Sequence, residues 1–470
     1  MSDKNTVIEN GLIWLPKEHF AVQQIRSALT FEYGSSTYNA LKTFYLFRDR
    51  KDHIGVPRHF LSRSSLKATI AKLGLGYKDL RPAFPDGYER LDIESVVELD
   101  KLDPSLTVQS DAVKSLIQDD GILSLACGIG KTPVALHIWA QHRVPLVVLA
   151  DNTSILEQWE KMIRLFIRPL DIKIGHVYDG RSEWDCPVVL ASVQSLFPIA
   201  ADFPMELRRR FGMVIIDEIH KVAAPVYNRV AGVFMGRRLG LTATPERSDR
   251  LEAVYQYHFG PVRFKYLKQS LQPRFFFYTP VSSKDLMEDA AFRKSISVWG
   301  ELNVQKVWSV LAANTARTLE ISNLIKMLVA EGRRVLVISQ RKDLLKQLNE
   351  RIVDAGMIIG STPLATRTKV LAEAPVVLGI MGIAKEGLDS ATLDTLVVCE
   401  PFKDKNLFQQ VVGRILRDRP GKQAPKVILI QDALGNGAGP VYGLVRALKR
   451  VIDTWPADMG GPYNWTPFEV

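Results

Sequence analysis

The sequence predicts two tandem, doubly wound parallel-sheet α/β domains preceded by a small α+β module. Three observations predict it. Short, continuously apolar runs alternate with helical segments from about residue 105 onward, the texture of strands buried on both faces of a parallel sheet. The runs form two series: Ile122–Leu125, Leu146–Leu149, Val188–Leu190 and Val214–Ile216, then Val335–Ile338, Val376–Leu378, Leu396–Val398 and Val427–Ile430. Two such series imply two domains. A glycine-rich turn and an acidic pair follow strands of the first series, at the strand ends where open α/β sheets bind ligands.

The boundaries follow from these textures. Residues 1–95 carry no phosphate-binding pattern and hold short apolar-aromatic strands, Gly11–Leu15 and Thr43–Phe47, with a helix at Leu61–Leu73. Residues 96–262 and 263–435 are the two α/β domains. Linker and helices are expected over 262–315, and one helix, Val441–Trp455, in the 436–470 tail.

Composition narrows the class. The 470 residues carry a net charge of +10, which favours a polyanionic partner. The arginine clusters 208–210, 237–238 and 333–334 read as solvated faces. Cys127, Cys186 and Cys399 lack CxxC spacing, so neither a disulfide framework nor a zinc site is expected. No apolar run approaches the roughly 20 residues that span a bilayer. A monomer in a reducing cytoplasm, away from membranes, is the expectation.

The strand Ile122–Leu125 runs into Ala126-Cys127-Gly128-Ile129-Gly130-Lys131-Thr132, followed by a helix. Glycines let backbone N–H groups approach phosphates, and the helix N-terminus adds its dipole. Lys131 would reach the β/γ-phosphates of a nucleotide and Thr132 its magnesium ion. Leu125 stands where the strict phosphate-loop pattern has its first glycine. Asp217-Glu218 follows the strand Val214–Ile216; Asp217 would hold magnesium through water, and Glu218 would act as general base on the attacking water. His220 is placed to couple this box to the second domain. Gln109, ahead of the first strand, can read adenine with its amide. Far downstream, Gln410-Val411-Val412-Gly413-Arg414-Ile415-Leu416-Arg417 puts two guanidiniums on one helix face. With the upstream motifs, Arg414 and Arg417 read as arginine fingers that complete an ATP site.

Taken together these segments resemble helicase superfamily 2, in the group of XPB and the type III restriction subunits, and most of all phage branch-migration helicases of the UvsW type. Leu125–Thr132 is similar to the group's phosphate loop, and Gly240-Leu241-Thr242-Ala243-Thr244 to its third motif. Gly387-Leu388-Asp389 fits the fifth motif and Gln410–Arg417 the sixth. The resemblance implies RecA-like domains, an ATP site with magnesium that includes Gly128, Ile129, Gly130, Gly387, Asp389 and Gln410, and coupling through His220, Thr242 and Thr244. It implies DNA contacts at Asn152, Thr153, Ser192, Gln194, Gln340 and Arg341, with forked, branched or partly single-stranded DNA held mainly through phosphates. Thr107-Val108 replaces the usual arginine before Gln109, and Thr242 and Gln410 depart from the RNA-helicase pattern. The implied activity is ATP-dependent unwinding or branch migration of DNA; the alternatives are a duplex translocase that remodels protein–DNA complexes without unwinding and an ATP-switched nucleic-acid-binding clamp.

Overall fold

The computed structural model describes residues 4–33, 42–101, 107–126, 128–220, 229–243, 245, 251–268, 271–284, 286–298, 301–381, 392–416, 421–434, 439–455 and 461–468. The chain divides into two compact units, Met1–Leu125 with Ile129–Tyr266, and Leu267–Val470 with Ala126–Gly128. Each is built on a seven-stranded sheet, and all paired strands in both are parallel.

The first sheet has the order Ile174–Val177, Val188–Ser192, Leu146–Ala150, Met213–Ile216, Arg237–Thr242, Gly121–Leu125, Val262–Tyr266. The second has Ala355–Ile358, Val376–Ile380, Val335–Ser339, Thr395–Val398, Lys426–Ile430, Arg274–Tyr278, Trp465–Pro467. Numbered along the chain within each sheet, both run 3-4-2-5-6-1-7. The strands that read as apolar runs are buried: Gly121–Leu125, Leu146–Ala150, Val188–Ser192 and Val335–Ser339 at every position.

Six of the fourteen described strands in these two sheets lie outside the apolar runs, and three of them fall where other elements are expected. Val262–Tyr266 lies at the sheet edge and interleaves Arg263 and Lys265 with apolar residues, so it reads as linker. Arg274–Tyr278 is aromatic-rich and pairs inside the second sheet, within the stretch expected to hold linker and helices. Trp465–Pro467 adds a strand to a tail expected to contribute only a helix; that helix is present at Gly439–Asp453.

The described part of residues 4–79 contains a separate strand pair, Thr30–Tyr33 with Lys42–Tyr45, and a five-stranded sheet of order Arg48–Asp49, His53–Val56, Ile13–Pro16, Thr6–Glu9, Gly76–Asp79. Helix Arg63–Leu73 accompanies it, N-capped by the Ser62 side chain and stopped by Gly74 in the left-handed conformation. Its core of Val7, Ile13, Leu15, Ile54, Val56 and Leu66 is completed by Leu251 and Val254, which lie between strands Arg237–Thr242 and Val262–Tyr266 of the first large sheet. The module and the first α/β domain therefore share one apolar core.

The three arginine clusters are cross-braces rather than solvated faces. Arg208 donates to the carbonyls of Phe203, Ala200 and Ala201, Arg209 to Leu80, and Arg210 to Asp185. Arg238 is fully buried and donates to the carbonyls of His258 and Gly11. Arg333 meets Asp394 and the Ala424 carbonyl, and Arg334 the carbonyls of Ala372 and Ala374. A guanidinium has five donors in a fixed fork, and here they collect carbonyls from different segments.

Asp120 stands among these arginines. It accepts from Arg58 at 3.2 Å, from His59 at 3.0 Å and from the Arg238 amide at 2.9 Å. The Arg58 guanidinium, which is 1% exposed, also donates to the carbonyls of Met235 and Gly236. Although burial opposes charge on Asp120, the Arg58 guanidinium and the His59 hydrogen bond hold its carboxyl well below the usual range.

In the second unit, Arg317 lies in the first turn of helix Thr315–Ala330, which leads into strand Val335–Ser339. It donates to both Asp432 oxygens, at 2.6 and 2.9 Å, and to the Cys399 carbonyl at 3.0 Å. Beside it Glu400 is buried, accepting from Ser339 Oγ and the Gln340 amide, and burial raises its carboxyl against the pull of Arg317.

Asp120→Asn should destabilise the first unit by about 3–5 kcal/mol, because buried guanidinium charge loses its counter-ion. The folded carboxyl is depressed, so its contribution is present above the unfolded value of about 3.9 and is lost as pH falls through the folded value. Denaturant unfolding from pH 7 down to 3 should show a fall in wild-type stability below about pH 4 that is shallower in the variant. Equal stability and equal pH slopes would refute the role.

Candidate functional site

Because all strands of the first sheet are parallel, everything that follows their C-terminal ends gathers along one edge. After Gly121–Leu125 comes the glycine loop, with Gly128 at φ 88° and Gly130 at φ 100°. These left-handed angles explain the glycines. Gly130 also has no room for a side chain: a Cβ there would lie 2.4 Å from Gln109 Nε2. Gly130 starts helix Lys131–His142, which puts Lys131 and Thr132 in its first turn. Lys131 Nζ donates to the Leu125 carbonyl at 3.2 Å, so the ammonium curls over the loop.

Strand Met213–Ile216 delivers Asp217 and Glu218 to the same edge. The Asp217 Oδ2 accepts from Trp159 Nε1 at 3.0 Å, and Oδ1 from the Glu218 amide at 2.9 Å. Burial and then the Glu218 charge push the Asp217 carboxyl up, while Lys131 and the Trp159 hydrogen bond pull it down. Glu218 sits at φ 52°, a left-handed conformation that costs a non-glycine residue on the order of 1 kcal/mol. Its Oε2 is buried without a hydrogen bond and lies 3.3 Å from His220 Nδ1. His220 Nδ1 in turn is 3.2 Å from Thr242 Oγ1, at the end of strand Arg237–Thr242. This contact joins the acidic box to the third motif inside one unit, where sequence reasoning aimed His220 at the second domain. Gly240 makes the approach possible, since a Cβ there would sit 2.2 Å from Ile219 Cδ1.

The donor set fits a magnesium nucleotide. Asp217 offers a carboxylate raised by burial and a neighbouring charge, Thr132 a hydroxyl, and both are hard oxygen ligands. Among the described residues no group of three or more His, Cys, Asp or Glu side chains could hold a metal ion together.

Gln109 is brought onto the loop, with both amide ends engaged inside the chain. Nε2 donates to the Ile129 carbonyl and Oε1 accepts from the Asp100 amide, each at 2.7 Å. In this structure it braces the loop. Asp100 and Trp159 are the residues sequence reasoning missed. Asp100 accepts from the Gln109 backbone amide across nine positions, and Trp159 lies on helix Thr153–Phe166 while the carboxylate it meets follows strand Met213–Ile216. Neither spacing forms a recognisable local motif.

The remaining candidates of the first unit lie on the same edge. Asn152 caps helix Thr153–Phe166, so Thr153 opens that helix. Ser192 caps the turn Val193–Leu196, and Gln194 Nε2 donates to the Asp151 carbonyl at 2.9 Å. In the second unit the Gln340 amide donates to Glu400, Arg341 donates to Gln305, and Gln410 is buried in helix Lys405–Gly413, which Arg414 follows. Thr244, Gly387, Asp389 and Arg417 lie outside the described residues.

A glycine loop with a lysine and a strand-end carboxylate pair, on the first of two like sheets, defines a nucleotide-driven two-domain enzyme. Residues 104–247 match the family described as "Type III restriction enzyme, res subunit", and residues 319–419 the "Helicase conserved C-terminal domain". "Probable helicase D10" of Escherichia phage T5 is 26% identical over 382 residues, covering 78% of this chain and 80% of that protein. "DNA 3'-5' helicase XPB" of Kineococcus radiotolerans is 26% identical over 376 residues, covering 77% of this chain and 65% of that protein. "DNA 3'-5' translocase XPB2" of Sulfurisphaera tokodaii is 30% identical over 210 residues, covering 43% of this chain and 45% of that protein. The chain belongs to helicase superfamily 2, in the XPB and type III restriction-like group, and is an ATP-dependent helicase.

Lys131→Ala should lower ATP hydrolysis by orders of magnitude while the melting temperature holds, because its charge would stabilise the transferring phosphoryl group. Hydrolysis near the wild-type rate in a steady-state assay would refute that role. Glu218→Gln keeps the shape and removes the base, so nucleotide binding should persist while turnover stops. Loss of binding, read with a fluorescent ATP analogue, would make Glu218 structural instead.

Proposed function

We propose that the chain is a DNA-dependent ATPase that travels along or separates DNA strands, and that forks and branched junctions are its substrates. The observation that supports this is the shared edge of the first sheet. The phosphate loop, Asp217-Glu218 and the His220–Thr242 contact follow the same strand ends as Asn152, Ser192 and Gln194. A change of charge at the nucleotide thus reaches the candidate DNA contacts through one sheet.

In the proposed cycle, Lys131 and the loop amides hold the phosphates, and Glu218 takes the proton from the attacking water. Asp217 and Thr132 would hold magnesium, which supplies charge neutralisation on the phosphates when bound. Trp159 fixes the Asp217 carboxylate in place. Arg414 and Arg417 add positive charge as the γ-phosphate leaves. His220 reports the state of Glu218 to Thr242, and the third motif passes it to the strand-binding edge. DNA is gripped through its phosphates, in keeping with the +10 charge, and the chain acts as a monomer.

The deciding experiment compares ATPase stimulation by single strands, duplex, fork, four-way junction and RNA–DNA hybrid, alongside strand separation and branch migration on the same substrates. Stimulation with fork or junction processing is expected, and no stimulation by any DNA would overturn the reading. Arg414→Ala should lower kcat on the order of 10³-fold with little change in ATP affinity, because a finger acts on transition-state charge. A variant that loses ATP binding but keeps kcat would show the opposite role. His220→Ala should keep DNA binding yet weaken its stimulation of hydrolysis, and full stimulation would remove His220 from the coupling path.

A further inference from the structure

The α+β module and the first α/β domain enclose a cavity of about 380 Å³ between them. Arg48 and Arg50 line it from the module, and Arg208 from the α/β domain. The three have no ion pair with a carboxylate among the described residues. Arg48 donates to the Arg229 carbonyl at 2.9 Å, Arg208 donates to three carbonyls, and Arg50 lies 3.8 Å over the Trp14 ring. The carboxylate nearest in sequence, Asp49, is taken by Lys17 at 2.8 Å and Arg26 at 3.0 Å, and Asp202 is the cavity's single acid. Burial and then the charges of Arg208, Arg229 and Arg50 pull the Arg48 guanidinium's pKa down. Like charges gathered in a concavity cost free energy unless an anion joins them.

We infer that this cavity is a phosphate-binding subsite that grips the nucleic-acid backbone at the seam between the module and the first α/β domain. The inference rests on the DNA-dependent reading above and assigns it a place. The anion is a backbone phosphate rather than a base, because the two aromatic rings that line the cavity are closed to stacking, Phe203 being 3% exposed. Trp14 is 5% exposed, its indole N–H donates to Asn10 Oδ1, and the Arg50 guanidinium covers its face. What the cavity offers is guanidinium N–H groups, which match phosphate oxygens bidentately. Its two sides come from segments more than 150 positions apart in sequence, and the buried Arg58, Asp120 and Arg238 contacts hold those segments together. The cavity is therefore set in shape before any ligand arrives.

The test measures duplex affinity of the full chain at several salt concentrations, for wild type, for Arg48→Gln/Arg50→Gln together, and for Arg50→Lys. Arg208 is left intact because it braces three carbonyls. The double variant should lose about one unit of log–log salt slope for each phosphate contact removed, with a weaker Kd for every sequence tried. Arg50→Lys keeps the charge and should recover most of the slope. Thermal unfolding at the wild-type temperature shows that the variants are folded, and a folded double variant with wild-type slope and Kd would overturn the subsite. Inorganic phosphate is titrated separately by calorimetry. Phosphate binding that disappears in the double variant while the DNA slope stays unchanged would overturn the assignment to a nucleic-acid backbone in favour of a free anion. If wild type shows no DNA-stimulated hydrolysis, the function reading fails. If it is stimulated but the slopes coincide, only this subsite fails.

Discussion

Asp120 is the constraint on which the first unit depends. Arg58 and Arg238 are both 1% exposed, and moving a guanidinium out of water is costly unless charge and hydrogen bonds are returned to it. Asp120 returns charge to Arg58 and binds the Arg238 backbone, carbonyls of Met235, Gly236, His258 and Gly11 accept from the terminal guanidinium nitrogens, and the Nε of each arginine is buried without a hydrogen bond. One carboxylate thus joins a sheet of the α+β module to a sheet of the α/β domain. The shared apolar core of Ile13, Val56, Leu251 and Val254 adds non-directional attraction, and the ion-pair cluster fixes orientation. Any force on the module is therefore transmitted to strands Arg237–Thr242 and Gly121–Leu125, the two that carry the third motif and the phosphate loop.

At the other end of those strands, the chemistry follows from crowding charges. Asp217 and Glu218 are neighbours at a buried turn, which raises Asp217 and leaves a Glu218 oxygen without a hydrogen bond. Lys131 and Trp159 partly compensate. A site in this condition gains from any cation or polarised water brought to it. The left-handed Glu218 and the missing side chain of Gly240 show that the backbone accepts strain to put the carboxylate and His220 within reach of Thr242.

Much of this was legible in the sequence. Continuous apolar runs marked the central strands, because strands buried on both faces carry no alternation. The loop around Lys131 and the pair Asp217-Glu218 were legible because each is a local run of residue types just after an apolar strand, and both follow strand ends of the first sheet. What escaped did so for physical reasons. Val262–Tyr266 is an edge strand, half exposed, with Arg263 and Lys265 facing out. The roles of Arg58, Trp159 and Asp100 are made by partners far away in sequence or on other elements. The arginine clusters misled because adjacent arginines look solvated, whereas each guanidinium here reaches separate carbonyls. Gln109 was found as a residue near the loop, yet its amide is engaged by Ile129 and Asp100.

The repeated strand order 3-4-2-5-6-1-7 invites a comparison of the two sheets position by position. Lys131 opens the helix between the first and second strands of one sheet, and Arg317 lies in the first turn of the helix that leads into the second strand of the other. Asp217 follows the fifth strand of the first sheet, and Cys399 and Glu400 follow the fifth of the second. In the first sheet the lysine is left to a loop carbonyl. In the second, the arginine is locked onto Asp432 with oxygens 2.6 and 2.9 Å away and is fully buried. The same place in the strand order thus carries two unlike cations, one held by the Leu125 carbonyl and one locked onto a buried carboxylate.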